Sequence, residues 1–212
     1  VYVTTVDVSL LNSSGHYPAN GLLYATRSDC TTSNPNGIRL KNATTLNAAM
    51  TVVSDNPVYI QGNFNTTSKK PAAVICDAVN ILSSGWTGSK TSGTLPAASN
   101  TTVNCCFLAG DVSTPSGGGN YSGGFENYPR LHESWSGRTL TISGSFNNFG
   151  ESQYARGLWV YGGDNYSAPT RVWDFDTMLN DPANLPPFTP YAAATERVSF
   201  RERTDMGLQP TP

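Results

Sequence analysis

The residues best placed to do chemistry lie in one stretch, Gly123-Gly-Phe-Glu-Asn-Tyr-Pro-Arg-Leu-His-Glu-Ser-Trp135. Glu126 and Glu133, with Arg130 and His132 between them, could supply an acid and a base for acting on a glycoside or polyuronide. The competing reading is architectural: Glu126 pairs with Arg130 or a backbone donor, while Phe125, Tyr128, Leu131 and Trp135 pack on what lies beneath. The architectural reading is preferred, because one linear cluster supplies no geometry and catalytic sets normally gather from several elements. No catalytic residue is therefore assigned. Glu126, Arg130, His132 and Glu133 are the working set only of an alternative in which the protein binds or cleaves a polysaccharide.

Other chemistries find less support. His16 and His132 are the only histidines, so one chain cannot build a multi-histidine metal site. Asp55, Asp111, Asp164, Asp174 and Asp176 sit in turn-like contexts, but none has the spacing of an EF-hand or a Gly-rich calcium nonapeptide, so turn formation is the better reading. No phosphate-cradling loop and no Gly-x-Ser-x-Gly elbow occurs. Neither metal nor cofactor is expected. Tyr121, Tyr128, Trp159, Tyr161, Tyr166 and Trp173 could stack on sugar rings if exposed, although aromatics of β proteins more often fill the core. Cys30, Cys76, Cys105 and Cys106 lack zinc or redox spacing. Cys105 and Cys106 are adjacent on a strand, so one faces in and one out; an inward Cys106 would act as a small apolar residue. A Cys76–Cys105 bridge needs a register shift, since an offset of two residues leaves roughly 8 Å between Cα atoms against a reach of about 7 Å. Free thiols are the expectation.

The elements that must position any site announce themselves by repetition. Val58-Tyr-Ile-Gln-Gly-Asn-Phe-Asn65 returns as Leu140-Thr-Ile-Ser-Gly-Ser-Phe-Asn147. Each copy alternates Ile, Gly and Phe on one face and ends on Asn, as a strand does that buries one side and stops at a turn. Cys106-Phe-Leu-Ala-Gly-Asp-Val112 fits the same frame, and Val79, Ile81 and Ser83 fit it more loosely. Starts at 58, 79, 106 and 140 suit successive coils of a solenoid with insertions of unequal length.

Around these copies, strands are expected over residues 1–11, 22–26, 38–42, 50–53, 156–161 and 196–203, with Ser54-Asp-Asn-Pro57 as a corner. Residues 71–79 read as strand in preference to a short helix because Ile and Val dominate. Residues 113–138 form a long Gly-rich insertion, and Asp174 could cap one helical turn over 174–179. Four prolines within 181–190 predict an extended path.

The charged fraction is 13% and the net charge is −2, so nothing points to nucleic acid or an anionic membrane surface. Ser, Thr, Asn and Gly take the place of charge, the wording of a loop-rich, exported β protein. Six Asn-x-Ser/Thr sequons, at Asn12, Asn42, Asn65, Asn100, Asn120 and Asn165, matter only in a source with glycosylation machinery. No run of 18 apolar residues occurs, and Val1 to Val8 alternates like a strand, so a mature product or an excised soluble part is expected.

Pro18-Ala-Asn-Gly-Leu-Leu-Tyr24, Asn36-Gly-Ile-Arg-Leu40, Asp55-Asn-Pro-Val-Tyr-Ile-Gln-Gly-Asn-Phe-Asn-Thr66, Lys69-Lys-Pro-Ala-Ala-Val74, Phe125-Glu-Asn-Tyr-Pro-Arg130, Trp135-Ser-Gly137 and Asp181-Pro-Ala-Asn-Leu-Pro-Pro187 resemble the β-rich C-terminal region of bacterial PilX-like pilus assembly proteins. The resemblance spans nearly the whole chain in the same order. It implies a surface or pilus-associated structural protein whose parent carries an N-terminal membrane or fibre-packing helix; the stretch from Val1 does not read as that helix, so the expectation is that it was removed or that the domain is reused in another extracellular role. It carries no catalytic residues.

Together these readings predict an all-β chain: a right-handed parallel β-helix or solenoid forming one domain over 1–212, with a long insertion at 113–138 and an extended tail at 181–212. The expected function is a non-enzymatic extracellular or cell-surface structural protein of a bacterial pilus or filament. Its expected partners are copies of itself or other filament subunits, and a glycan under the alternative.

Overall fold

A computed structural model describes residues 1–90, 94–112, 124–157 and 165–190. Thirteen strands are present among them: β1 (Val3–Asp7), β2 (Leu22–Tyr24), β3 (Gly37–Thr45), β4 (Met50–Val53), β5 (Val58–Thr67), β6 (Ala72–Cys76), β7 (Val79–Leu82), β8 (Thr101–Asn104), β9 (Cys106–Asp111), β10 (Arg130–Leu131), β11 (Thr139–Gly144), β12 (Phe146–Glu151) and β13 (Thr170–Phe175). Every pairing between them is parallel. The larger sheet is ordered β1-β3-β5-β8-β11-β13, with β7 joining β5 to β10 at its side, and the smaller is ordered β12-β9-β6-β4-β2. In both sheets the earliest strands lie at one end and the latest at the other.

The larger sheet divides lengthwise because β3 and β5 bend. Residues 58–61 of β5 pair with β7, whereas Phe64 pairs with Val103 of β8. At the bend the register slips between Lys41 and Ala43, where Asn42 has φ 55° and Gly62 φ 77°. Gly enters this left-handed region freely and Asn with little penalty, so these two residue types permit the corner.

Alternation along the strands builds the core. On one side of the bend Ile38, Val58 and Val79 stack in register, as do Leu40, Ile60, Ile81 and Leu131. On the other, Phe64, Val103, Ile142 and Trp173 form a row. Met50, Val52, Val74, Phe107 and Ala109 of the smaller sheet join the same cluster. Each large aliphatic or aromatic side chain hidden this way contributes roughly 2 kcal/mol. At the late end Trp173 stacks on Phe146 with ring centroids 5.4 Å apart, and the Arg171 guanidinium lies 5.2 Å from the Trp173 ring centroid.

Two polar anchors set the corners. Asn65, 1% exposed and at φ 56°, donates from Nδ2 to the carbonyls of Lys70 (2.7 Å) and Asn104 (3.0 Å) and accepts from the Lys70 amide, so the amide of this sequon is committed inside the fold. The Asp77 carboxylate accepts the amide hydrogens of Gln153, Tyr154 and Ala155, tying the corner between β6 and β7 to the stretch after β12.

Several expectations are corrected. The copy at 106–112 lies on the smaller sheet, with Ala73 opposite Cys106 and Phe146 opposite Phe107. The segment stacked on Leu140–Ser143 is Thr101–Asn104, so the frame holds for 58 and 79 but not for 106. The first strand stops at Asp7, whose carboxylate accepts the Leu10 amide hydrogen and caps a six-residue helix, Val8–Ser13, that buries Val8. Residues 130–138 rejoin the sheet instead of continuing the insertion. Strand β13 occupies 170–175, and the helical turn begins later, at Thr177–Asn180, capped by Asp176 rather than Asp174. Residues 181–190 are not wholly extended: Pro182–Asn184 form a 3-10 turn with Asp181 as cap, a place where proline's missing N–H costs nothing.

All four cysteines are free, as expected, and buried; Cys76 lies opposite Ala109, and the core-facing member of the adjacent pair is Cys105, not Cys106. Of the strand expected at 156–161, Arg156 and Gly157 lie outside any strand; its residues 158–161, the strand expected at 196–203, residues 113–123 of the insertion and residues 191–212 of the tail lie outside the described residues.

Candidate functional site

The outer face of the larger sheet, on the β1 side of its bend, carries the row Thr5, Arg39, Tyr59, Asn80 and Arg130, one residue from each of five strands. Gly37 makes room for this row: a Cβ there would meet the Pro57 carbonyl and the edge of the Tyr59 ring. Above it runs the segment that follows β7. Its base is fastened by Glu133, which accepts the Ser83 amide hydrogen at 2.6 Å and the Ser83 hydroxyl hydrogen at 2.6 Å. The Trp86 carbonyl then accepts from Gln61 Nε2 at 3.2 Å, and Lys90 Nζ donates to the Asn165 carbonyl at 2.8 Å.

Segment and sheet enclose a cavity of about 350 Å³ whose walls include Arg39, Tyr59, Leu82, Trp86, Lys90 and His132. No carboxylate lines it among the described residues. Arg39 is held from one side only, by Nε and Nη2 donating to the Thr5 hydroxyl at 3.0 and 2.8 Å, and forms no ion pair among the described residues. The cavity is therefore aromatic on part of its wall and positive on another.

Its histidine is held neutral. Burial, reinforced by the charges of Lys90 and Arg130, pushes His132 down to about 3. Asn80 uses its Nδ2 on the carbonyls of Val58 and Ala78, so its Oδ1 must accept from His132 Nε2, 2.8 Å away. That fixes the proton on Nε2 and leaves Nδ1 as an acceptor. Tyr59, its ring centroid 6.1 Å from that of His132, is pushed up by burial to about 12. Both shifts favour the uncharged form near neutrality, so the wall offers fixed hydrogen-bonding roles beside positive charge.

Among the residues of the polysaccharide alternative whose side chains are described, Arg130, His132 and Glu133 do not share one wall. Glu133 is fully buried on Ser83, Arg130 donates from Nη2 to the Ala155 carbonyl at 2.7 Å, and His132 alone lines the cavity. The Glu126 side chain lies outside the described set. Burial raises Glu133 above the ordinary carboxyl value, with the two Ser83 bonds opposing the rise.

The aromatics singled out from the sequence are placed otherwise. Tyr128 and Tyr166 are buried and Trp173 packs on the core, while Tyr121, Trp159 and Tyr161 lie outside the described residues. Arg39, Tyr59, Trp86 and Lys90 had not been singled out. The available signal was alignment of Ile38-Arg-Leu40, Val58-Tyr-Ile60 and Val79-Asn-Ile81, which puts their middle residues in one outward row. Among the turn aspartates, Asp176 pairs with Lys69 at 2.8 Å and Asp55 accepts from the Tyr24 hydroxyl at 2.5 Å. No family model, curated protein or solved structure matches the chain.

Proposed function

We propose that this chain is a right-handed parallel β-helix serving as a non-enzymatic, extracellular structural protein, built into a bacterial pilus or surface filament. The observation that carries the reading is the common order of the two sheets: β1 and β2 begin them, β13 and β12 end them, and every pairing is parallel. A parallel strand joined through a crossover winds right-handedly in nearly all proteins. A stack of that kind has two unlike ends, and unlike ends are what a head-to-tail filament requires. The resemblance to PilX-like pilus proteins points the same way. Electron microscopy of the purified protein, with gold-labelled antibody on the surface of the source cells, is the test. Label along fibres is expected; strictly monomeric particles and an unlabelled surface would overturn the proposal.

A second reading, glycan binding, is favoured by the cavity with Tyr59 and Trp86 in its walls. It does not compete with a filament role, since a displayed subunit can also bind. A panel of neutral and acidic oligosaccharides immobilised on a surface tests it, and retention of no sugar would end it.

A further inference from the structure

We propose that residues 177–190 form a strap that opens and closes over the outer face of the smaller sheet while the sheets beneath stay folded. Opening exposes the row Thr51, Ala73 and Cys106, with Leu108 beside it. The inference is independent of the filament and glycan readings.

The strap leaves the late end of the stack and runs back toward the early end. At its root the Asp176 amide donates to the Gly144 carbonyl at 3.0 Å, and the Asp176 carboxylate accepts from Lys69 Nζ at 2.8 Å. Near its other end the Pro187 carbonyl accepts the Thr51 hydroxyl hydrogen. The Pro187 ring lies so close over Gly21 that a Cβ there would strike it.

Three observations make the strap a unit of its own. It holds its shape without the sheets: Asp176 and Asp181 cap its two 3-10 turns, and the Thr189 hydroxyl donates to the Pro186 carbonyl at 2.7 Å. Prolines at 182, 186, 187 and 190 stiffen it. It is also thinly fastened. Among the described residues the Thr51 hydroxyl makes the one hydrogen bond between 177–190 and the sheets, and Pro186 is the one strap residue that is buried. A segment with so few buried contacts opens at a fraction of the global unfolding free energy. Nor is it seated flush, since a crevice of about 210 Å³ separates its Leu179, Leu185 and Pro186 from Cys106 and Leu108 of the sheet.

The row beneath points away from the core. Thr51, Ala73 and Cys106 stand in register, and Ala73 and Cys106 lie outside the core cluster, yet they are only 0% and 6% exposed. Leu179 lies at Cys106 and Pro187 at Thr51, so the strap is what hides them. Closed, it keeps from other chains an apolar surface that would otherwise be sticky.

Cys106 is a built-in reporter of opening, and its neighbour Cys105, which faces the core, is the control. The full chain is incubated with iodoacetamide, and the label at each cysteine is followed by peptide mass mapping. Cys106 should be labelled at least ~tenfold faster than Cys105. Lys69→Met removes the ion pair at the root and Thr51→Val the hydrogen bond near the other end. Each should raise the Cys106 rate ~threefold or more and leave Cys105 unchanged, with thermal melting confirming that the variants fold. Equal rates at Cys105 and Cys106 in the unmodified protein would show that the row opens only on global unfolding, and would overturn the proposal. A Cys106 rate that neither variant raises would overturn it as well.

Discussion

Glu133 and Ser83 are joined twice, one carboxylate oxygen taking the Ser83 amide hydrogen and the other its hydroxyl hydrogen, each at 2.6 Å. The pair lies wholly inside the protein and pins the start of the cavity's outer wall to the stretch after β10 that carries His132. Glu133→Ala leaves two buried donors unmatched and should lower the unfolding free energy by about 3 kcal/mol, measured by urea denaturation at pH 7. Ser83→Ala, which keeps the amide bond, should cost less. Equal stability in all three proteins would show that the contact contributes nothing.

Glu133 also shapes the pH dependence. Burial raises its folded value, so the folded protein holds the proton better than the unfolded chain does. Its contribution is fully present below the unfolded carboxyl value and is lost as pH rises through the folded one. Glu133→Gln should remove that downward slope from a plot of unfolding free energy against pH.

His132 acts in the opposite sense. Its folded value is near 3, against 6.5 for the free group. Between those limits the unfolded chain binds a proton that the folded protein does not, so stability falls as pH drops through that window, by up to about 5 kcal/mol across it. His132→Asn should flatten this acid limb. An acid limb identical to that of the unmodified protein would rule the histidine out as its source.

The Asp77 carboxylate serves three backbone amides from the stretch after β12. Asp77→Ala should destabilise by about 2–4 kcal/mol and increase hydrogen exchange at 153–155 first, with Asp77→Asn intermediate. Unchanged exchange at those three amides would contradict the assignment.

All four cysteines are free, and burial raises each thiol above its ordinary value. Little reaction with an aromatic disulfide reagent is expected in the native state, and four equivalents after denaturation without reductant. Two equivalents in denaturant would reveal a bridge.

What the sequence disclosed follows from what a period of two can encode. Val58 and Val79 fall in the register the alternation predicts because Val58-Tyr-Ile60 and Val79-Asn-Ile81 repeat one uninterrupted apolar-polar-apolar pattern. Cys106-Phe-Leu-Ala-Gly was assigned to the same stack because alternation looks alike on both sheets and carries no label for which one. Thr101-Thr-Val-Asn104 escaped notice because Val103 is its one apolar residue, yet its place beside Phe64 makes it a full member of the core. The site was harder to see. Arg39, Tyr59, Trp86 and Lys90 are far apart in the chain and meet only because stacking puts successive strands side by side. Glu133 was noticed for its chemistry, while its partner Ser83, read as a loose copy of a repeat, gave no hint of the bond.

The row Thr5, Arg39, Tyr59, Asn80 and Arg130 is spaced by backbone hydrogen bonds, about 4.8 Å from strand to strand. That spacing belongs to the main chain and is indifferent to the side chains it carries. Substitution along the row can therefore rewrite what the surface recognises without moving the marks of the ruler, and a polymer lying across it would be read at a fixed pitch.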